Sequence, residues 1–507
     1  MLLLSLVAAA TAFTGRLGRA TLCTDSYQYV ASAEALLDPV QIPHFETRKP
    51  GYPFFLAGVK LAFGQLGWVA VVCHYALLVL LPLAAYGMGI HLHSRLLGWM
   101  SAVLTMAQLQ GLVFSNWMMS ETLYTLMLSF ALLVFFVGLQ KPGGGLRLCA
   151  SGSLLGAAWF TRGVAVAVIP VALVAVAIVH RHRPRRAAAL CTAFVFPLLG
   201  FFLLECSLNL MFSGQFRAST GTGGSCLWAH RMRVFQGAGF PETADGVALR
   251  SLLPERSEEE AYTANCSDQW VAFYRAVHDN RWSEWAFDET CLRTAFAAIR
   301  AAPTPFALYS TKLALWHLFR HGDGMELSPV PETHRAGLLL HPYADARLPN
   351  PDPLAWNAYW SVPHLSRDES VRLIERTKTE AARRAPFAGT GIWSALRYWK
   401  TLPVVVAVVD VMTRCGDLWP GFALLLCGFL GLNRATCYTL AAAYIAEAIL
   451  LGAMTITNSR YQTVWVVFDT TLAAAVPAGV VAMIAAHLRA WKETVRAERS
   501  VDVGNAR

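Results

Sequence analysis

Four groups of residues in this chain have the types and spacing to do chemistry. Asp25 stands in Thr24-Asp25-Ser26-Tyr27-Gln28-Tyr29. An acid followed by two bases lies in His44-Phe45-Glu46-Thr47-Arg48-Lys49-Pro50-Gly51-Tyr52-Pro53. Glu121 follows Ser120 in Met119-Ser120-Glu121-Thr122-Leu123-Tyr124. The fourth group is basic: Arg162 between Thr161 and Gly163, and Arg460-Tyr461 after Asn458-Ser459. A carboxylate within hydrogen-bond reach can take a proton from a hydroxyl. Lys and Arg can hold an anion, Arg through a planar fork. Together they could take a proton from a hydroxyl and hold an anion.

Each group also has a plainer structural use. Thr24 or Asp25 can cap a helix running from Tyr27 to Leu37. Basic and aromatic residues commonly border membrane spans, which suits Arg48, Lys49 and Tyr52. Ser120 can cap a helix opening at Glu121, with the acid favoured by the helix dipole. Arg162, between two apolar segments, has fewer structural explanations, and anion binding leads them. Spacing alone leaves both kinds of use open.

The elements that must position these residues are apolar. Apolar residues make up 55% of the 507 and charged residues 15%, with mean hydropathy +0.42. An ordinary globular domain is about 45–50% apolar and about 25% charged. Runs such as Trp99–Val113, Thr122–Leu139, Val164–Val179 and Val464–His487 approach the ~20 residues needed to cross a bilayer. This pattern predicts a mainly α, polytopic membrane helical bundle of about ten transmembrane helices with a mixed extracytoplasmic segment. The spans are expected near Leu2–Thr14, Leu66–His91, Leu97–Phe114, Glu121–Leu139, Leu146–Phe160, Val164–Val179 and Ala188–Met211. Three more close the chain near Leu418–Leu432, Ala435–Ile456 and Thr463–His487.

The organisation follows. Residues 1–212 form an N-terminal transmembrane module with a first outer loop over 15–65. Residues 213–400 form a polar extracytoplasmic segment, 401–488 the last transmembrane helices and 489–507 a basic cytoplasmic tail. Within the polar segment, Ser366-Arg367-Asp368-Glu369 reads as a capping box opening a soluble helix. Pro305–Phe319 and Leu402–Met412 are too short to cross and suit the membrane interface. Cys226, Cys266 and Cys291 lie in this segment, where a disulfide is allowed but an odd count fixes no pairing.

The net charge of +9 sits in short clusters beside spans, at Lys141–Arg147, His180–Arg186 and the C-terminal tail. That is the positive-inside pattern and argues against nucleic acid as a partner. The topology it sets puts Asp25, the 44–53 loop, Glu121, Arg162 and Arg460 at one outer face.

These motifs resemble the large polytopic glycosyltransferases of the GT-C type, which use polyprenyl-phosphate sugars. The group includes protein O-mannosyltransferases and lipid A aminoarabinose transferases. The residues that carry the resemblance are Asp25 and Tyr29, Glu46 with Lys49–Pro53, Ser120–Thr125, Thr161-Arg162 and Ser459-Arg460-Tyr461. Here Asp25 is followed by Ser26 where relatives often have a second acid. Thr47-Arg48 also separates Glu46 from Lys49, where relatives often have no spacer.

The resemblance implies Asp25 and Glu121 as catalytic acids, with Asp25 the general base or the group orienting the acceptor. It implies Glu46, Arg48, Lys49, Tyr52, Arg162, Arg460 and Tyr461 as substrate-binding residues. A divalent cation, held by Asp25 and Glu121 if present, is allowed but not required. The implied partners are a polyprenyl-phosphate-linked sugar donor, a lipid, glycan or protein acceptor, and membrane lipids. The implied location is a bacterial inner membrane, with the site facing the periplasm or exterior. A transporter or flippase is the main alternative, but such proteins place charges near the bilayer midplane, whereas here the charges are expected at the outer rim.

Overall fold

The computed structural model describes residues 24–46, 48–108, 118–141, 143–219, 243–252, 275–308, 367–382 and 434–453, with a few short pieces beside them. The described residues are helical almost throughout. Nearly all of Leu2–Thr14, most of Pro305–Phe319, Leu402–Met412, Leu418–Leu432 and Thr463–His487 lie outside them, as do Arg460 and Tyr461.

Helices α1 (Thr24–Ala35) and α2 (Gly51–Phe63) come first, inside what the hydropathy pattern marks as a loop. They are too short for the span pattern to reveal; α2 has only 13 residues, and Gly64 ends it in the left-handed conformation at φ 71°. Helices α3 (Trp68–Leu78) and α4 (Leu81–Leu92) together form one apolar stretch of 25 residues. The break between them falls where Pro82 has no N–H to offer the carbonyl of Leu78. Helix α5 (Arg95–Gln108) folds back on α4, and α6 (Glu121–Gln140) is the fourth expected span. Helix α7 (Gly145–Thr161), a 3-10 turn (Gly163–Ala167), α8 (Val168–Val179) and α9 (Pro184–Ser213) follow.

Among the described residues, three helical stretches are long and apolar enough to cross a membrane: Trp68–Leu92, Glu121–Gln140 and Pro184–Ser213. They differ in surroundings. The most apolar window of α6 is 72% buried, so α6 is the centre of the bundle. That of α9 is 17% buried, leaving Phe196, Leu199, Leu203 and Met211 facing outward as lipid-exposed side chains do. Tyr124, Leu128 and Phe135 of α6 pack with Leu148 and Leu155 of α7, Val168 and Val176 of α8, and Phe194 of α9. Leu440 and Ala441 join them from α13 (Arg434–Ala453), the expected ninth span.

Small residues set how closely α7 and α9 approach. Gly152 and Gly156 are four apart on one face of α7. A Cβ on Gly152 would lie 2.1 Å from the Phe194 carbonyl oxygen, and one on Gly156 2.5 Å from the Phe201 ring. This is the small-residue spacing that lets membrane helices meet backbone to backbone.

Outside this bundle, Tyr27 and Val30 of α1 pack with Tyr52 and Leu56 of α2, Leu123 of α6 and Leu373. Leu373 belongs to α12 (Arg367–Ala382), the helix the capping pattern predicts; its Arg376 and Lys60 of α2 both pair with Glu34 of α1. A separate cluster joins α10 (Ala244–Ser251) to α11 (Glu284–Ala301) through Leu249, Phe287, Cys291 and Trp228. Ser283 caps α11 by accepting a hydrogen bond from the Ala286 amide at 3.1 Å. Cys291 is buried in that cluster, and Cys226 and Cys266 lie outside the described residues.

Gly51 is the tightest point between α2 and the end of α7. A Cβ there would stand 2.7 Å from the Thr161 hydroxyl and 2.8 Å from the Phe160 carbonyl oxygen, neither of which can retreat easily. Gly51→Ala is therefore expected to lower the thermal midpoint, by about 1–3 kcal/mol of stability. Gly58→Ala, with nothing within 4 Å of the added Cβ, should leave the midpoint unchanged or raise it.

Candidate functional site

Asp25, Gln28 and Tyr29 stand on one face of α1, at the i, i+3, i+4 spacing. Arg48 lies across that face. Its guanidinium donates to Asp25 Oδ1 at 2.6 Å and to Gln28 Oε1, and it sits 6.0 Å from the centre of the Tyr29 ring. Both Asp25 and Arg48 are half-buried. Asp25 lies within the first turn of α1, and its carboxylate reaches out of the helix to the 44–53 loop.

The second ion pair joins α6 to the turn after α7. Helix α7 stops at Arg162, whose backbone is extended at φ −148° and ψ 126°. This aims the side chain at Glu121, the first residue of α6, at 2.6 Å, and sets its guanidinium 5.9 Å from the Tyr124 ring. Glu121 is only 2% exposed. Ser120 does not cap α6 with its side chain; its hydroxyl shares a 3.3 Å hydrogen bond with the Tyr29 hydroxyl.

Tyr29 is where the two pairs meet. Burial pushes its phenol above the usual range, and Arg48, Asp25, Glu121 and Arg162 all act on it electrostatically. The two carboxylates raise the phenol's pKa further and the two guanidiniums oppose them. Tyr52 stands behind, its ring edge-on to Tyr29 at 4.9 Å and its hydroxyl 3.1 Å from Nε2 of buried His74.

Lys49 turns away from α1 into the apolar bundle. Its ammonium donates to both oxygens of Glu205, at 2.8 and 3.0 Å, and lies 4.6 Å from the centre of the Trp159 ring. Burial pulls the ammonium below the usual lysine range, while Glu205 holds it up. A Cβ on Gly163 would come 3.4 Å from Lys49 Cε, an ordinary contact, so the lysine stem runs beside the turn that follows α7.

Glu205 is the residue that hydropathy conceals. It sits in α9, eight residues or ~12 Å before the helix ends at Ser213, on the buried stripe with Leu198 and Asn209. The visible signal was a lone acid inside a long apolar run, where an ionisable group usually means function. With it, the spans are not free of charge, as the rim-only reading had them.

Glu46 faces elsewhere. Its carboxyl meets the backbone N–H groups of Glu284 and Trp285 at the start of α11. Burial, and then the Glu284 carboxylate, push its pKa up to about 7; the backbone donors and Arg217 act in the opposite direction. Glu46 and Lys49, close in sequence, therefore contact different helices. The described residues hold no group of three or more His, Cys, Asp or Glu side chains placed to share a metal. Asp25 and Glu121 are each paired with an arginine.

No protein-family sequence pattern matches the chain, and no curated protein does. Solved structures show a distant likeness. ArnT from Cupriavidus metallidurans, bound to undecaprenyl phosphate, is similar at TM-score 0.35 and 15% identity over 90% of this chain and 77% of that one. The oligosaccharyltransferase of Archaeoglobus fulgidus, with zinc and sulfate, gives 0.38 and 11% over 95% of this chain and 49% of that one. The chain thus spans about half that enzyme's length. The archaeal AglB, in complex with an inhibitory peptide and a dolichol-phosphate, gives 0.34 and 11%. Scores of this size carry no argument about the site.

The Glu46 carboxyl sets a pH dependence whose sign can be worked out. Its folded pKa of about 7 lies above its ordinary value of 4.5. Between those values the folded chain binds more protons than the unfolded one, so this group's contribution to stability falls as pH rises through that window. Glu46→Gln should flatten that slope relative to the wild type, as read by thermal midpoints across the window; parallel curves would refute it.

Proposed function

We propose that this chain is a membrane glycosyltransferase. It moves a sugar from a polyprenyl-phosphate carrier to a hydroxyl of a lipid, glycan or protein acceptor on the extracytoplasmic side, with inversion at the sugar. The observation that carries this reading is the gathering of Asp25–Arg48 and Glu121–Arg162 about Tyr29.

The chemistry uses those groups in order. The acceptor oxygen bonds to the anomeric carbon while the carbon–oxygen bond to the phosphate breaks, its electron pair leaving with the phosphate. The acceptor's proton passes to Asp25. Arg48, Lys49 and Arg162 stabilise the charge that develops on the leaving phosphate. Glu121 holds Arg162 in place and is the second acid of the pocket. A phosphate that draws on the Arg48 guanidinium loosens its hold on the Asp25 carboxylate, which then takes the acceptor's proton.

One observation favours the transporter reading: Glu205, buried with Lys49, sits inside an apolar helix long enough to cross a membrane, where a transport pathway would keep its charges. One assay separates the two. Purified protein in nanodiscs, given a panel of polyprenyl-phosphate sugars and an acceptor extract, should release the polyprenyl phosphate and glycosylate the acceptor. Asp25→Asn should cut turnover by about 10²–10⁴-fold while still melting cooperatively. Movement of intact donor between liposome leaflets, without any sugar transfer, would establish the transporter instead.

A further inference from the structure

We propose that Glu205 is a positioning residue for the transfer reaction: it holds the Lys49 side chain charged and aimed at the carrier phosphate. The inference rests on the functional reading above, and concerns a residue which that reading does not use.

The geometry is that of a fixed fork. Both Glu205 oxygens accept from the Lys49 ammonium, and Oε1 also accepts from the Ser219 amide at 2.8 Å. The Ser219 hydroxyl donates to the Phe45 carbonyl oxygen, and Asn209, one turn beyond Glu205, donates to the Arg217 carbonyl oxygen at 2.8 Å. Glu205 therefore grips the 44–53 loop at Lys49 directly and at Phe45 through Ser219. Phe45 is wholly buried against Phe160 and Leu208.

As a stabilising device this pair is a poor choice. Glu205 is 0% exposed and Lys49 6%, and a buried ion pair often contributes no more than well-packed apolar residues of the same size. What apolar residues cannot do is keep an ammonium protonated in that place. The groups that face Lys49 are few: Glu205 and Cys206 from α9, the Trp159 ring from α7 and the Ser219 amide. On its own loop Arg48 points to α1 and Glu46 to α11. Glu205 is the one carboxylate in contact with it among the described residues.

The test uses the full chain in nanodiscs and Glu205→Gln, which keeps the shape and removes the charge. Reductive methylation by formaldehyde requires a neutral amine, so its rate at Lys49, followed by peptide mass spectrometry against pH, reports protonation without any substrate. In Glu205→Gln the midpoint of that titration should fall by about one pH unit or more. Binding of undecaprenyl phosphate should weaken about tenfold above the variant's methylation midpoint and recover below it. Glu205→Asp should restore both in part. Lys49→Gln should weaken binding at every pH, and adding Glu205→Gln to it should cost nothing more.

An unchanged methylation midpoint, or binding lost equally at all pH values, would overturn the proposal and leave Glu205 a structural residue. Should Glu205→Gln fail to fold, Glu205→Asp against wild type decides the same question. A shifted midpoint in a protein that binds no polyprenyl phosphate at any pH would retain Glu205 as the group that keeps Lys49 charged. It would remove the proposed transferase.

Discussion

An ammonium cannot be left alone in an apolar bundle, and this constraint shapes the whole site. Taking one ion from water costs several kcal/mol even after relaxation, so Lys49 can enter the space between α7 and α9 only because Glu205 is waiting there. Once that pair forms, the rest of the 44–53 loop has little freedom. Phe45 fills the apolar gap beside Phe160 and Leu208, and Gly51 closes against the last turn of α7. Arg48, the residue before Lys49, is then left facing the polar side of α1. The placement of one buried charge fixes the direction of the next.

The other half of the site is built by helix ends. Helix α7 breaks at Arg162 and α6 begins at Glu121, so each ionised side chain leaves its backbone where the helix stops. Tyr29 spans the gap, with its hydroxyl on Ser120 at the head of α6 and its ring beside Arg48. The bundle supplies rigidity: Gly152 and Gly156 hold α7 hard against α9, and this fixes both Arg162 at the end of one and Glu205 in the last third of the other.

Much of this was legible in the sequence, though unevenly. The apolar runs marked the helices from α3 to α9 closely, because a span must be long and uniformly apolar. Helix α1 was legible only through its capping residues, and α2 escaped, both being short and buried by each other and by α6 rather than by lipid. Asp25, Arg48, Lys49, Glu121 and Arg162 stood out by type and setting. Their partnerships did not, because Asp25 pairs across 23 residues and Lys49 across 156, and no local pattern records such a distance. Glu205 was hidden for the opposite reason: its neighbours Leu203, Leu204, Leu208 and Leu210 make the run read as continuous hydrocarbon. Glu46 misled by proximity. It lies three residues from Lys49, yet the chain between them turns one side chain to α11 and the other to α9.

The choice of cation at each position suits a site that must keep its acids while taking an anion. A guanidinium has five N–H donors in a planar fork, so Arg48 and Arg162 can go on holding Asp25 and Glu121 with one edge while another meets a phosphate oxygen. An ammonium has only three, and two of those on Lys49 already go to Glu205. Lys49 therefore has one donor to give, along a line that Glu205 and the Trp159 ring leave it. On the proposed reading the arginines adapt to a phosphate and the lysine offers it one fixed donor. With three acids matched to three bases, this set of side chains is near neutral and its burial costs least. An entering phosphate then has to share cations already engaged, so on the proposed reading the same event that seats the donor loosens the hold on Asp25.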